Sequence, residues 1–359
     1  MSPAPATGSA WAEGGPEEVG DSIFRIPLPL PGDGLKAVNA YLLQSEAGDL
    51  LIDCGWDNSQ SWEVLTQALA RLGSGIGSVR LVFATHVHGD HLGAAGRIRD
   101  GGRALVTLGL DDRESAVLLA TDPGLARSRT RALLRRHGAD SVADAMDTEA
   151  SSLSQRVWLA PLPDLFISGG ELRVAGRELE VVPTPGHTRG HLCLWDSSAH
   201  ILFAGDHVLP HITPSIGVEV PDGSLPLLNF LRSLERVREL PAKLVLPAHG
   251  PAFQDLAGRV DELLEHHRRR LLLCEEAIVA GARTASDVAR ALPWTRRGRR
   301  FDDLDTFNQM LAVAESAAHL EVLAERGELG RVVSNSVVTF TPTPGGARSA
   351  AEGNGDGGQ

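Results

Sequence analysis

Residues 85–93 read Thr-His-Val-His-Gly-Asp-His-Leu-Gly and follow the apolar run Val79-Arg-Leu-Val-Phe-Ala84. No other stretch restricts the fold as much. Three imidazoles and a carboxylate at the tip of a buried strand would repel and desolvate one another unless a shared cation held them. His86 and His88 lie two apart, so in an extended segment their side chains point the same way. Asp90 and His91 follow where the chain turns into a helix, so one stretch supplies two pairs of donors. A solvated histidine-rich loop is the alternative, but such a loop needs no strand to aim it.

Three later segments repeat the pattern of an apolar strand that stops in a donor. Leu-Glu-Val-Val-Pro-Thr-Pro-Gly-His delivers His187, Ile-Leu-Phe-Ala-Gly-Asp-His delivers Asp206, and Lys-Leu-Val-Leu-Pro-Ala-His-Gly delivers His249. Taken singly, a histidine at a strand end is usually structural and a Gly-Asp pair usually a turn. Four such ends in one domain point to convergence on a single site.

The surrounding pattern predicts a mixed α/β chain. Short apolar runs at 23–30, 38–43 and 49–55, divided by Pro and Gly, predict antiparallel strands. Residues 61–73 carry a helical stripe at Trp62, Leu65, Leu69 and Leu72 that ends at Gly73. Strands resume after 165, with Ser-Gly-Gly and Ala-Gly-Arg predicted as hairpin turns. Two such halves suggest two sheets packed face to face with helices outside. Residues 111–155 are polar and helical and interrupt the strands, which suggests a lid-like insertion. Residues 256–341 read as three helices and a hairpin turning near Asn335, with Thr284 and Asp287 at capping-box spacing and Leu304 and Phe307 opening an apolar stripe. That order is a winged helix. Residues 1–20 and 342–359 are expected to be a disordered arm and tail, leaving 21–255 as the catalytic domain.

Composition narrows the function classes. A formal charge of −12 opposes a broad nucleic-acid surface, which needs clustered positive charge. No apolar run reaches membrane-spanning length and the first residues lack the pattern of a secretory signal. Cys54, Cys193 and Cys274 stand far apart in apolar surroundings, which suits a reducing cytoplasm and core roles.

Thr-His-Val-His-Gly-Asp-His, Thr-Pro-Gly-His-Thr, Gly-Asp-His and Pro-Ala-His-Gly, in this order and at these intervals, resemble the metallo-β-lactamase superfamily over roughly residues 22–255. The remainder resembles, more loosely, the winged-helix tail of its glyoxalase II and lactonase-like branch. The resemblance implies an αββα sandwich with the site along one edge of the paired sheets. By it, His86, His88 and His187 hold one metal, Asp90, His91 and His249 hold a second, and Asp206 bridges them. Two Zn2+ ions are expected, with Fe or Mn as alternatives. They would share a bridging hydroxide, each ion lowering the pKa of bound water toward about 7, while Asp90 orients the hydroxide and takes its proton. Asp53 falls at the family's position for steadying the ligand loop, and His191 is expected to support that loop as well.

The expected reaction is hydrolysis of a carbonyl ester in a small acyl compound, with thioesters or lactones favoured. Lys36, Tyr41, Arg189, His207 and His211 are speculative substrate contacts, Lys36 and Tyr41 through a loop arching over the site. The rivals are a mononuclear iron sulfur dioxygenase of the same fold, a metal-dependent ribonuclease and a DNA-binding winged-helix protein. No membrane partner is expected, nucleic acid is disfavoured, and a homodimer is left open.

Overall fold

A computed structural model describes residues 11–30, 35–152, 160–218, 225–294 and 298–343. Residues 1–10 of the expected arm and 344–359 of the expected tail lie outside them, whereas Glu17–Gly20, expected within the disordered arm, form a strand because they pair with the apolar run that follows. The chain divides into two compact units, one made of Met1–Thr130 and Ser152–His266, the other of Arg131–Ser151 and His267–Gln359.

The first unit contains two sheets. In one, β1 (Glu17–Gly20), β2 (Ile23–Pro29), β3 (Ala37–Leu43), β4 (Asp49–Ile52), β5 (Val79–Phe83), β6 (Leu105–Gly109) and β7 (Leu165–Ile167) lie side by side in chain order. Neighbours are antiparallel up to β4, as the Pro- and Gly-divided runs predict, and parallel from β4 onward. The parallel steps require crossovers. These are supplied by α1 (Ser59–Arg71), then by α2 (Gly89–Leu92) with α3 (Ala95–Gly102), then by a segment that opens with α4 (Arg113–Thr121) and α5 (Pro123–Arg136) and continues into α6 (Asp140–Ser152). In the other sheet β8 (Gly170–Val174), β9 (Arg177–Pro183), β10 (Leu192–Asp196) and β11 (Ile201–Gly205) are antiparallel, and β12 (Leu244–Pro247) joins β11 in parallel after α7 (Pro226–Arg238).

Strand alternation divides the core in two. Tyr41, Leu43, Leu50, Ile52, Leu81 and Phe83 face the other sheet and meet Leu179, Val181, Leu192, Leu194, Ile201 and Phe203. The residues between them, Leu42, Leu51 and Val82, point outward and pack with Leu65, Ala68 and Leu69 of α1 and Ile98 of α3. Asn58 caps α1 by accepting from Ser61 N at 2.9 Å, and Gly73, at φ +70, lies just past its end. One turn differs from the sequence expectation. Ala-Gly-Arg does close the β8–β9 hairpin, with Ala175 at φ 50 and Gly176 at φ 70, but Ser-Gly-Gly carries the chain from β7 in one sheet to β8 in the other. A turn signal specifies a reversal and cannot say which strand receives the chain.

The second unit takes in α8 (Leu256–Val279) from His267 onward, α9 (Ala285–Ala291), α10 (Thr306–Glu325) and the hairpin β13 (Leu329–Ser334) with β14 (Val337–Pro342). Thr284 and Asp287 form the capping box on α9, and Asn335 and Ser336 make the hairpin turn with φ values of 49 and 67. Phe307, expected in the apolar stripe of α10, is 61% exposed because it sits in the first turn, ahead of the buried stretch that begins at Met310. Residues 131–151 of the segment expected as a lid belong to this unit, where Ser286 N donates to His137 O at 3.1 Å. Among the described residues no helix is long and apolar enough to cross a membrane.

Candidate metal centre

Four strand ends of the first unit open at one edge of the sandwich. His86 and His88 leave β5, Asp90 and His91 sit on α2, His187 follows β9, Asp206 follows β11 and His249 follows β12. The two sheets are stitched together here, where Leu192 N donates to Thr85 O at 2.9 Å and Asn39 N to Ala248 O at 2.7 Å.

The side chains gather into overlapping sets. His86, His88 and His187 form one, Asp90, His91 and His249 another, and His86, His91 and Asp206 a third, with the donor atoms of each within 4.8 Å of one another. His88 turns Nδ1 inward, 2.9 Å from His86 Nε2 and 3.1 Å from His187 Nε2. Asp206 spans the sets. Its Oδ2 lies 3.4 Å from His187 Nε2, and its Oδ1 lies 3.4 Å from His249 Nε2 and 3.7 Å from His91 Nε2. Asp90 Oδ2 is 3.4 Å from His249 Nε2 and 3.5 Å from His91 Nε2.

The outward nitrogens of His86, His91, His187 and His249 are already engaged. His91 Nδ1 donates to Asp53 Oδ2 at 2.8 Å, His187 Nδ1 to Ser215 O at 2.7 Å and His249 Nδ1 to Ala37 O at 2.8 Å. His86 Nδ1 lies 3.1 Å from Thr85 Oγ1, whose own proton goes to Asp53. These partners fix the tautomers that leave lone pairs directed inward. The inward atoms His91 Nε2, His249 Nε2 and Asp206 Oδ1 are buried and have no hydrogen-bond partner. Buried polar atoms are rarely left so. Nitrogen and carboxylate donors orphaned together suit a divalent transition metal.

Charge is unevenly spread over these groups. Burial, reinforced by His187, pushes His88 down to about 3, and burial with the neighbouring imidazoles holds His86 well below the usual range. Burial also opposes a charge on His249, but Asp206 and Asp90 overcome it and raise the group to about 9. His91 is likewise raised, by Asp90, Asp53 and Asp206 against burial. Without a cation the carboxylates draw protons onto these two imidazoles, in the place a metal ion would take.

Asp53 and His191 lie behind the ligands. Asp53 has φ 56, a left-handed conformation that costs a non-glycine residue energy, and accepts from Thr85 N at 2.8 Å as well as from His91. His191 Nε2 accepts from Asp206 N at 3.1 Å while its Nδ1 lies 2.7 Å from Thr184 Oγ1, so both ring nitrogens are committed. Gly205 is forced by this packing, since a Cβ there would lie 2.6 Å from His191 Nε2 at φ +50.

The proposed substrate contacts separate. Arg189 stands at the rim, 40% exposed and 3.4 Å from Glu114. Lys36 is exposed on the turn before β3, and His211 is exposed after β11. Tyr41 is not on a loop. It lies within β3 in the inter-sheet core, 2% exposed, with its hydroxyl donating to Pro247 O at 2.6 Å, because the residues after Lys36 are apolar enough to form a buried strand. His207 is fully buried, its ring packed 5.1 Å from that of Phe230, and burial pushes it down to about 3, so it lines no opening. Sequence reasoning missed Thr85, Thr184 and Asp112, whose side chains bind the ligand loops or their supports. Asp112 carried a signal, since it stands just past an apolar strand as the ligands do.

The family model of the metallo-beta-lactamase superfamily matches residues 33–249. The chain is 26% identical over 288 residues to a beta-lactamase-like protein 2 homolog from Caenorhabditis elegans, covering 78% of this chain and 81% of that one. It is 28% identical over 236 residues to an atrochrysone carboxyl ACP thioesterase from Aspergillus fumigatus, covering 66% of this chain and 43% of the thioesterase, less than half of that protein's length. A crystal structure of a metallo-beta-lactamase family protein from Thermus thermophilus superposes with a TM-score of 0.75 at 28% identity, covering 90% of this chain and 99% of that one.

Proposed function

Given that this chain belongs to the metallo-β-lactamase superfamily, we propose that it is a hydrolase of small acyl compounds that cleaves a thioester, with lactones as the neighbouring class, at a pair of metal ions. The observation that carries this reading is the pair of donor groups, His86 with His88 and His187 and Asp90 with His91 and His249, with Asp206 within 3.4 Å of a histidine of each and three inward atoms, His91 Nε2, His249 Nε2 and Asp206 Oδ1, buried without a hydrogen bond. His86, His88 and His187 would hold one ion, Asp90, His91 and His249 the other, and Asp206 would serve both. Ions held there supply Lewis acidity, polarising the acyl oxygen and bringing the pKa of water toward about 7.

The chain's own groups do the rest. Asp90, with 16% of its side chain exposed while its Oδ2 faces His249 and His91, takes the proton released when water attacks the acyl carbon. Its acidity suits a resting carboxylate, since His91 and His249 outweigh burial and hold it well below the usual range. Arg189 gives the rim a cation for an anionic substrate tail, released from Glu114 when the substrate binds. The similarity to a thioesterase favours thioesters among the esters. We read the helices and hairpin of the second unit as a winged helix acting as scaffold, and zinc as the resident metal.

Metal analysis of protein purified without chelators, beside assays on thioester, lactone and single-stranded RNA panels, tests this reading. About two ions per chain with thioester turnover is the expected result. One iron per chain with oxygen consumed, or RNA cleavage with inert acyl panels, would overturn it.

A further inference from the structure

We propose that Asp112 is a positioning residue that sets the distance between the loop carrying His86 and His88 and the loop carrying His187, a role that rests on these three histidines being metal ligands. Asp112 follows β6 and is completely buried. Its Oδ1 accepts from Gly190 N at 2.6 Å, and its Oδ2 accepts from Thr188 Oγ1 at 2.8 Å and from Val87 N at 3.1 Å. Val87 lies between His86 and His88, and Thr188 follows His187, so one carboxylate ties both ligand loops to the end of a third strand.

Two observations distinguish this arrangement from an ordinary turn. Asp112 ends the 3-10 turn Leu110–Asp112 that runs straight into α4, with a helical backbone (φ −86, ψ −1), and its side chain makes no bond to the amides of the turn that follows. Both oxygens face the ligand loops instead. The backbone is also built for close approach, since a Cβ on Gly190 would lie 2.8 Å from the Asp112 carboxyl carbon and one on Gly109 would strike Gly190 O. Three donors converge on two oxygens, and a carboxylate accepts from all of them at once. An asparagine would turn its NH2 toward Gly190 N–H or toward Val87 N–H, so one backbone donor loses its acceptor and one loop is released. Supporting residues of this kind change metal affinity by about tenfold to hundredfold in general.

The test is cobalt(II) titration of the metal-free full-length chain, followed by electronic absorption, with His88→Ala and His249→Ala identifying which binding event belongs to which set. Asp112→Asn should weaken the event of the three-histidine set by about tenfold to hundredfold and alter its spectrum, leaving the other event unchanged. Thr188→Val, which removes a single bond and keeps the side-chain shape, should weaken the same event by a smaller factor and serves if Asp112→Asn does not fold. Asp196→Asn controls for general loss of stability. Asp196 is also fully buried and accepts from Arg177 at 2.8 Å and Ala199 N at 2.9 Å, but far from these loops, so its loss should leave both cobalt affinities unaltered. Unchanged affinities and spectra in both Asp112→Asn and Thr188→Val, or equal weakening of both events, would overturn the proposal. Failure of the unsubstituted chain to take up cobalt would instead overturn the ligand reading, and the proposal with it.

Discussion

The two ends of the sandwich in the first unit treat buried polar groups in opposite ways. At the end where β8 turns into β9 and β10 into β11, Asp196 is buried and fully answered, by Arg177 at 2.8 Å, Ser198 Oγ at 2.6 Å and Ala199 N at 2.9 Å. At the other end, His91, His249 and Asp206 each hold a buried atom that makes no hydrogen bond. Strain is arranged to match. The left-handed residues in the turns of the answered end, Ala175 and Gly176 between β8 and β9 and His200 between β10 and β11, simply form tight reversals. Asp53 at the ligand end holds its unfavourable φ of 56 because the carboxylate must reach both Thr85 and His91. Burial with a partner stabilises the fold, whereas burial without one marks where the chain needs something from outside itself.

The comparison is broken most severely at the ligand end. Chelation, or His88→Ala, should lower hydrolysis by about a thousandfold or more, the several kcal/mol that metal ions contribute to such reactions. Steady-state kinetics with metal re-addition would check it, and rescue of His88→Ala by excess metal to full rate would count against the assignment. Next in size, Asp53→Asn should reduce metal affinity by about tenfold to hundredfold with little loss of fold, because asparagine tolerates the left-handed backbone but lacks the second acceptor oxygen. Chelator competition and thermal melting, run together, separate the two effects.

At the answered end the signs reverse. Asp196→Asn should cost about 2 kcal/mol of stability and leave turnover per folded molecule unchanged, as read by urea unfolding beside kinetics. Ser198, the Ala199 amide and Arg177 outweigh burial and lower the Asp196 pKa. Its contribution is therefore present above the unfolded value of about 3.9 and is lost as pH falls through the lower folded value. The substituted chain should consequently lack that part of the acid sensitivity. The smallest effect expected is Ala175→Gly, which relieves a left-handed alanine and should raise stability by about 0.5 kcal/mol.

Much of the ligand end was legible because its signals are local. A strand that stops in His or Asp can be seen in a few residues, and the four segments around His86, His187, Asp206 and His249 each carry the whole pattern. Sheet pairing from β2 to β4, the end of α1 at Gly73 and the capping box of α9 were legible for the same reason. What could not be read depends on the partner across space. Asp112 looked like one acid among several in a polar stretch, and its place just past an apolar strand could not say that it accepts from Gly190. Tyr41 looked like a loop residue because Pro and Gly precede it, while its burial is decided by Phe203 on the other sheet, 5.6 Å away ring to ring. Ser-Gly-Gly looked like a hairpin because a change of sheet and a reversal use the same residues.

The second unit is assembled from separated pieces, Arg131–Ser151 and the chain from His267 onward. During synthesis the earlier piece emerges first and must wait for about 135 further residues before Ser286 exists to bond His137. At the usual pace of translation that interval is on the order of 7–27 seconds. The strands that aim His187, Asp206 and His249 all emerge within it. The residues of both sheets are thus made before the pieces of the second unit are complete, and a fragment beginning at His267 would lack a helix that the intact unit contains.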